Sequence, residues 1–259
     1  MNTYTADPKK ERILSQSTAV RTGVLNEVRK VCESIDPDFD SVKHYKTNIK
    51  DWLLPIIDLR DYYVYPTNGI TEGLNWWYNQ EKRTVDVGEG DYQWIKKTGN
   101  EMLYVSVPSS IDGNLHDVID QRPIALDLAY VGSTSIQPID ITNVERVFYS
   151  LSKSFGIRNI RTGWYFTKQE DTRLRDLTES AKYYNYYAHD VAEKIIDTFN
   201  LDYVHTALNT QQKEICKELD LVPSDSVWLA TSTDDEYSKF RRKNNIARIC
   251  LAGVYNYEL

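Results

Sequence analysis

Cysteine is scarce in this chain: there are three, Cys32, Cys216 and Cys250, far apart in the sequence. No pair has metal-ligand spacing, and an odd count argues against a disulfide framework. Histidine is nearly as scarce, and His44, His116, His189 and His205 form no HxxxH or HxH pattern, so no metal centre is expected. Basic charge is lacking too. The net charge is −7, whereas a nucleic-acid binder usually carries a basic field. Arg241–Arg242–Lys243 is the only basic cluster and reads as a solvated helix face. No apolar run approaches the roughly 18 residues of a membrane span. The opening residues, MNTYTADPKKERIL, are polar without an apolar signal core. Repeats and low-complexity tracts are also missing. The expectation is a protein of a reducing, cytoplasmic setting, with neither nucleic acid nor membrane as partner.

What remains is an ordinary globular composition with unusually many rings. Residues are 41% hydrophobic and 27% charged over a length of 259, enough for one core or for a large domain with a small satellite. Nineteen tyrosines and six tryptophans suit a ligand pocket or a subunit interface as well as a core. The apolar stripe of 12–35 predicts a helix, broken by DPDFD. Strands are predicted in DYYVYP, RTVDV, EMLYVSV, RPIALDL and VERVFY, and a helix begins at about Ile70. VERVFYSLSKSFG reads as a strand running into a polar loop, and 168–200 as one long helix. A helix near 206–219, a strand SVWLAT, a charged helix near 234–244 and a strand IARICLAG complete the chain. Alternating strands and helices predict an α/β sheet, which binds ligands at its strand ends.

Four stretches place chemistry at such ends. TNGITEG (67–73) joins a strand end, a glycine turn and a helix start, where amide groups and the Thr71 hydroxyl suit an anion; a plain Thr/Glu helix cap reads the same way. ALDLAY (125–130) ends an apolar strand in Asp127, costly to bury without a partner, with Tyr130 just beyond. SLSKSFGIRNIRTG sets Lys153 after a serine-rich turn, with Arg161 past Gly156. A cleft lysine can attack a carbonyl to form a Schiff base, though most lysines are solvated surface residues. GDYQWI (90–95) offers Tyr92 or Trp94 as a ring to lie on an aromatic ligand, or as a plain core aromatic. Together they describe a phosphate cup, an aromatic platform, a carboxylate for a ring nitrogen, a phenol, a lysine and an arginine, the set that pyridoxal 5′-phosphate requires.

In order and spacing these stretches resemble the fold-type I pyridoxal-phosphate enzymes, class I/II aminotransferases above all, over roughly residues 64–166. The resemblance implies a three-layer α/β sandwich with a mostly parallel sheet as a large domain at 45–185. A reduced small α+β domain would comprise 1–44 and 186–259. It implies that Lys153 holds the cofactor as a Schiff base and shuttles the proton, that Asp127 pairs with the pyridine nitrogen, and that Tyr130 bonds the ring 3-oxygen. Gly69, Ile70, Thr71, Ser150, Ser152 and Arg161 would hold phosphate, and Tyr92 would stack on the ring. IARICLAG resembles the small-domain strand whose arginine grips the substrate α-carboxylate, which gives Arg248 that role. The family's homodimer implies a tyrosine acting on the partner's phosphate site, for which Tyr45 is the candidate. The activity implied is transfer of an amino group between an amino acid and a 2-oxo acid.

The chain departs from that pattern in three places. PSSIDG (108–113) replaces an Asn-Pro-x-Gly turn, so Ser110 falls where an asparagine supports the 3-oxygen. Asp127 follows Ser110 so closely that an intervening helix must be nearly deleted, and the whole chain is short. Other Cα-deprotonating chemistry (a lyase or racemase) and a non-catalytic binding protein on the same scaffold are the alternative readings. SLSK also fits the Ser-x-x-Lys of penicillin-binding enzymes, but KTG (97–99) precedes it rather than follows, and no Ser-Asp-Asn lies between.

Overall fold

The computed structural model describes residues 25–34, 45–88, 91–92, 94–242 and 245–257. Six strands form the main sheet: β1 (Tyr63–Thr67), β2 (Val85–Val87), β3 (Met102–Ser106), β4 (Ile124–Asp127), β5 (Val144–Tyr149) and β6 (Gly163–Thr167). Their spatial order is β1-β6-β5-β4-β3-β2. Strands β2 to β5 pair in parallel, and β6 runs antiparallel to both β5 and β1. Two reversals restore direction, so β1 points the same way as β5. The C-terminal ends of β1, β3, β4 and β5 therefore share one edge of the sheet.

Side chains alternate faces along a strand, and the aromatic residues show what covers each face. Phe148 and Tyr165 stack at 5.1 Å, and Phe148 meets Trp77 at 5.7 Å; Trp77 lies on α3 (Ile70–Tyr78). Their chain neighbours Tyr149 and Trp164 stack at 5.9 Å on the other face. There Tyr149 meets Trp52 of α2 (Tyr45–Leu53) at 6.0 Å. Helices cover both faces, making three layers. All the residues of β4 and β6 are buried, as double coverage requires. The segment between β3 and β4 contains no helix.

Several sequence expectations are corrected. The loop after β5 is a helical turn, α4 (Leu151–Ser154). The long helix over 168–200 is broken into α5 (Thr172–Arg175), a π-helical turn (Asp176–Ser180) and α6 (Tyr186–Thr198). Asp171 and Asn185 cap the two α segments, and Lys182 at φ 51° turns the chain between them. Of the helix over 12–35, the described part is α1 (Asn26–Glu33), which packs on α6. Helix α7 (Tyr203–Glu218) leads into a small antiparallel sheet of β7 (Val222–Pro223), β8 (Leu229–Ser232) and β9 (Ala247–Cys250). The charged helix near 234–244 is a 3-10 segment, Asp235–Phe240. Trp228 links the small sheet to the large one, its Nε1 donating to the Ser154 carbonyl at 3.1 Å.

Candidate active site

The shared strand edge gathers the turns that the sequence singled out. Asp127 ends β4, opposite Ser106 of β3. It is 3% exposed and fully engaged: Tyr104 Oη donates to Oδ2 at 2.7 Å and Ala129 N–H donates to Oδ1 at 2.8 Å. Burial pushes its carboxyl above the ordinary range, against the Lys153 charge and the Tyr104 bond, and the Asp91 charge adds to the rise. Tyr104 was missed in the sequence because its partner lies across the sheet. Burial raises its phenol far above the tyrosine range, which keeps it a donor.

Lys153 stands on the short helix that leaves β5, its Nζ 4.6 Å from the Tyr130 ring centre and 5.7 Å from that of Tyr92. Tyr130 is buried. Burial opposes its ionisation, but the Lys153 and Arg248 cations outweigh it and hold the phenol below the usual range. Tyr92 also approaches Thr71, Oη to Oγ1, at 3.2 Å. Trp94, the other ring considered, is 51% exposed and bonded to Asn75. Of the two rings Tyr92 and Trp94, Tyr92 is the one beside Lys153.

The cup begins at Gly69, which precedes α3 with φ 87° and ψ 173°, a region that side chains avoid. A Cβ there would come 2.8 Å from Arg161 Nη2, so the exposed arginine lies against the glycine backbone. Gly163 allows the same approach from β6, since its Cβ would fall 2.9 Å from the Gly69 Cα. Glu72 reaches back to the Asn68 N–H at 2.6 Å. The N–H groups of Ile70 and Thr71, in the first helical turn, lack intrahelical partners by geometry and face the same end of the helix as Gly69.

The serines need correction. Ser150 Oγ donates to the Thr162 carbonyl at 2.6 Å and accepts from Ser152 N–H at 3.1 Å. With its one proton given to the Thr162 carbonyl, it caps the turn that carries Lys153 instead of donating to an outside anion. Ser152 Oγ makes only a long bond, 3.4 Å, to Ile160, and is the freer hydroxyl. Ser110 Oγ donates to Asp91 Oδ1 at 2.5 Å, so it is committed to a second buried carboxylate that also takes Ser106 Oγ at 2.7 Å and Tyr92 N–H at 2.7 Å. The Ser110 carbonyl accepts from Arg248 Nη1, which joins buried Arg248 of β9 to this edge. Tyr45 opens α2, and its side chain lies outside the described residues. Among the described residues no cluster of His, Cys, Asp and Glu is built to hold a metal, and no helix is long and apolar enough to cross a membrane.

No protein-family model matches the sequence, and no curated protein matches it. Solved structures match in shape. An aminotransferase from Mycobacterium tuberculosis aligns with a TM-score of 0.64 over 94% of this chain and 92% of its own, at 13% identity. A PLP-dependent aminotransferase from Streptococcus suis 89-1591 aligns at 0.63 over 94% and 90%, with 12% identity. The L-threonine-O-3-phosphate decarboxylase from Porphyromonas gingivalis aligns at 0.57 over 83% and 84%, with 15% identity. At such identities the likeness is one of architecture: this chain has the α/β three-layer fold of these enzymes.

Proposed function

We propose that the chain is a pyridoxal-phosphate-dependent aminotransferase that carries its cofactor on Lys153. The observation that carries the reading is the convergence of Lys153, Tyr130 and a buried Asp127 at one strand edge, with Arg161 against Gly69 at its end. The residues fit the group. A carboxyl held above its normal range by burial gains most from a cationic ring nitrogen facing it. A bare glycine Cα lets the Arg161 guanidinium close on the start of the helix, which sets a cation beside the amide groups that a phosphate would use. Gly69, Ile70, Thr71, Ser152 and Arg161 would hold the phosphate, Tyr92 would cover the ring, and Tyr130 would bond its 3-oxygen.

When bound, the cofactor supplies an electron-withdrawing ring conjugated to the reacting carbon. The protein supplies position and proton transfer. Tyr104 and the Ala129 N–H fix Asp127 in one orientation. Lys153 Nζ, beside a phenol of lowered proton affinity, would take the proton from substrate Cα and return it on the other side of the reaction. Arg248 would orient the substrate by its α-carboxylate, which favours loss of the Cα proton over loss of that carboxylate. The Ser150 cap fixes the turn from which Lys153 works.

The test is spectroscopic. Purified protein mixed with pyridoxal 5′-phosphate should develop a visible band that an amino acid bleaches and a 2-oxo acid restores. Lys153→Ala should lose the band. A band that no amino acid bleaches would leave a binding protein, not an aminotransferase. The reading includes a homodimer, with Tyr45 reaching the partner's phosphate site. Exposed Trp94, Tyr183 and Tyr187 (51%, 71% and 43%) are the kind of surface an interface favours. Sedimentation should give a dimer, and a fully active monomer at every dilution would contradict it.

A further inference from the structure

Asp91 is a buried carboxylate to which the chemistry proposed above gives no task. It lies a few residues past β2, 8% exposed, with its N–H on the Gly88 carbonyl at 3.0 Å. Burying a carboxylate is costly unless its oxygens find donors. Here the donors come from three separate stretches of chain. Oδ1 accepts from Tyr92 N–H at 2.7 Å, from Ser106 Oγ at 2.7 Å and from Ser110 Oγ at 2.5 Å, and Oδ2 accepts from Ser106 N–H at 3.2 Å.

Each stretch leads to a different part of the site. Ser106 ends β3 opposite Asp127. Tyr92 is held at its backbone by Asp91 and at its Oη by Thr71 Oγ1, 3.2 Å away, which fixes the ring near Lys153. Ser110 offers its carbonyl to Arg248 Nη1. The bond from the Ser110 hydroxyl to Asp91 therefore sets where that carbonyl stands, and with it the guanidinium. One oxygen shared by three donors in a buried network ties their positions together.

We infer that Asp91 is a positioning residue that locks the Tyr92 ring and, through Ser110, the Arg248 guanidinium into one arrangement before substrate arrives. The inference rests on the function proposed above, which gives that ring and that guanidinium their roles. Asp91 itself touches neither cofactor nor substrate in this account, because its oxygens are taken by the protein. It acts by holding side chains where they work.

Three variants dissect the hub. In Asp91→Asn the amide oxygen can keep all three Oδ1 bonds, and only the 3.2 Å bond from Ser106 N–H is lost. Asp91→Ala removes every bond, and Ser110→Ala cuts the Arg248 arm alone. Titration of the cofactor-free protein with pyridoxal 5′-phosphate reads the Tyr92 arm. Calorimetry of the holoenzyme with propionate, a carboxylate that cannot react, reads the Arg248 arm. Asp91→Ala should weaken both by about tenfold, the worth of one charge-assisted bond. Asp91→Asn should stay within about threefold of the wild type. Ser110→Ala should weaken propionate only, and should cost nothing further when added to Asp91→Ala. A merely structural role would lower the folded fraction, and so kcat, but would leave both affinities and KM unchanged in the molecules that fold. Wild-type affinities in Asp91→Ala, or a Ser110→Ala protein that binds propionate as the wild type does, would overturn the inference. The serine variant decides the matter even if Asp91→Ala fails to fold. A wild type that takes up no cofactor would sink the functional proposal; one that loads normally beside variants that match it would sink this inference alone.

Discussion

Replacing Gly69 with alanine should separate backbone strain from loss of the anion site. Gly69 sits at φ 87°, ψ 173°, a corner that costs a residue with a Cβ about 1–3 kcal/mol. The new methyl would also lie 2.8 Å from Arg161 Nη2 and 3.2 Å from its Cζ. Arg161 is exposed on a long flexible stem, so it can swing aside at little expense to the fold. The clash then shows up as an arginine lost from the cup. Denaturant unfolding of Gly69→Ala should therefore report a loss of about 1–3 kcal/mol. Affinity for pyridoxal 5′-phosphate should fall by about tenfold or more, the worth of one charged hydrogen bond. Arg161→Ala alone should weaken cofactor binding without the stability loss. In the double variant the stability loss should remain, while the affinity loss should be less than the sum of the two single losses. A Gly69→Ala protein that binds as tightly as the wild type, or affinity losses that simply add, would refute the reasoning.

Three further outcomes follow from buried groups. Tyr104→Phe strands the Asp127 oxygen that now accepts at 2.7 Å, and denaturant titration should show a loss of about 1–3 kcal/mol. His189, 3% exposed, has its imidazole lowered by burial from 6.5 to about 4. The unfolded chain takes up that proton first, so stability falls as pH drops from 6.5 towards 4, by up to roughly 3 kcal/mol. The His189→Phe protein should show a flatter acid limb in unfolding measured against pH. Glu193 acts with the opposite sign: burial, then Asp190 and Asp197, raise it from 4.5 to about 7. Its ionisation therefore weakens the folded state as pH rises through that window. Glu193→Gln should stabilise the protein above pH 7 by about 1 kcal/mol, allowing for solvent screening of a half-buried group, and an unchanged melting temperature at pH 8 would contradict this.

What the sequence revealed depended on how local each signal is. Asp127 ends a strand, Tyr130 and Lys153 follow strand ends within a few residues, and Arg161 stands just before a strand, so apolar runs and their polar punctuation mark them directly. Tyr104 and Asp91 were invisible because their roles depend on register: Tyr104 meets Asp127, and Asp91 meets Ser106 and Ser110, only once the strands are aligned. Ser150 was legible as an N-cap, but its place in a phosphate-like motif drew it to a different role. The break in the expected long helix rests on Lys182 in a left-handed turn, for which lysine gives no cue. The Arg241–Ala247 bridge, which falls where a charged helix is expected, is likewise a long-range fact.

The central claim is that Lys153 is the covalent attachment point. Borohydride reduction of the protein with pyridoxal 5′-phosphate, followed by proteolysis and mass spectrometry, measures this directly. The account predicts one reduced cofactor on the peptide containing SLSKSFG, at Lys153. A label on another lysine, or none on a protein that retains the cofactor, would contradict it.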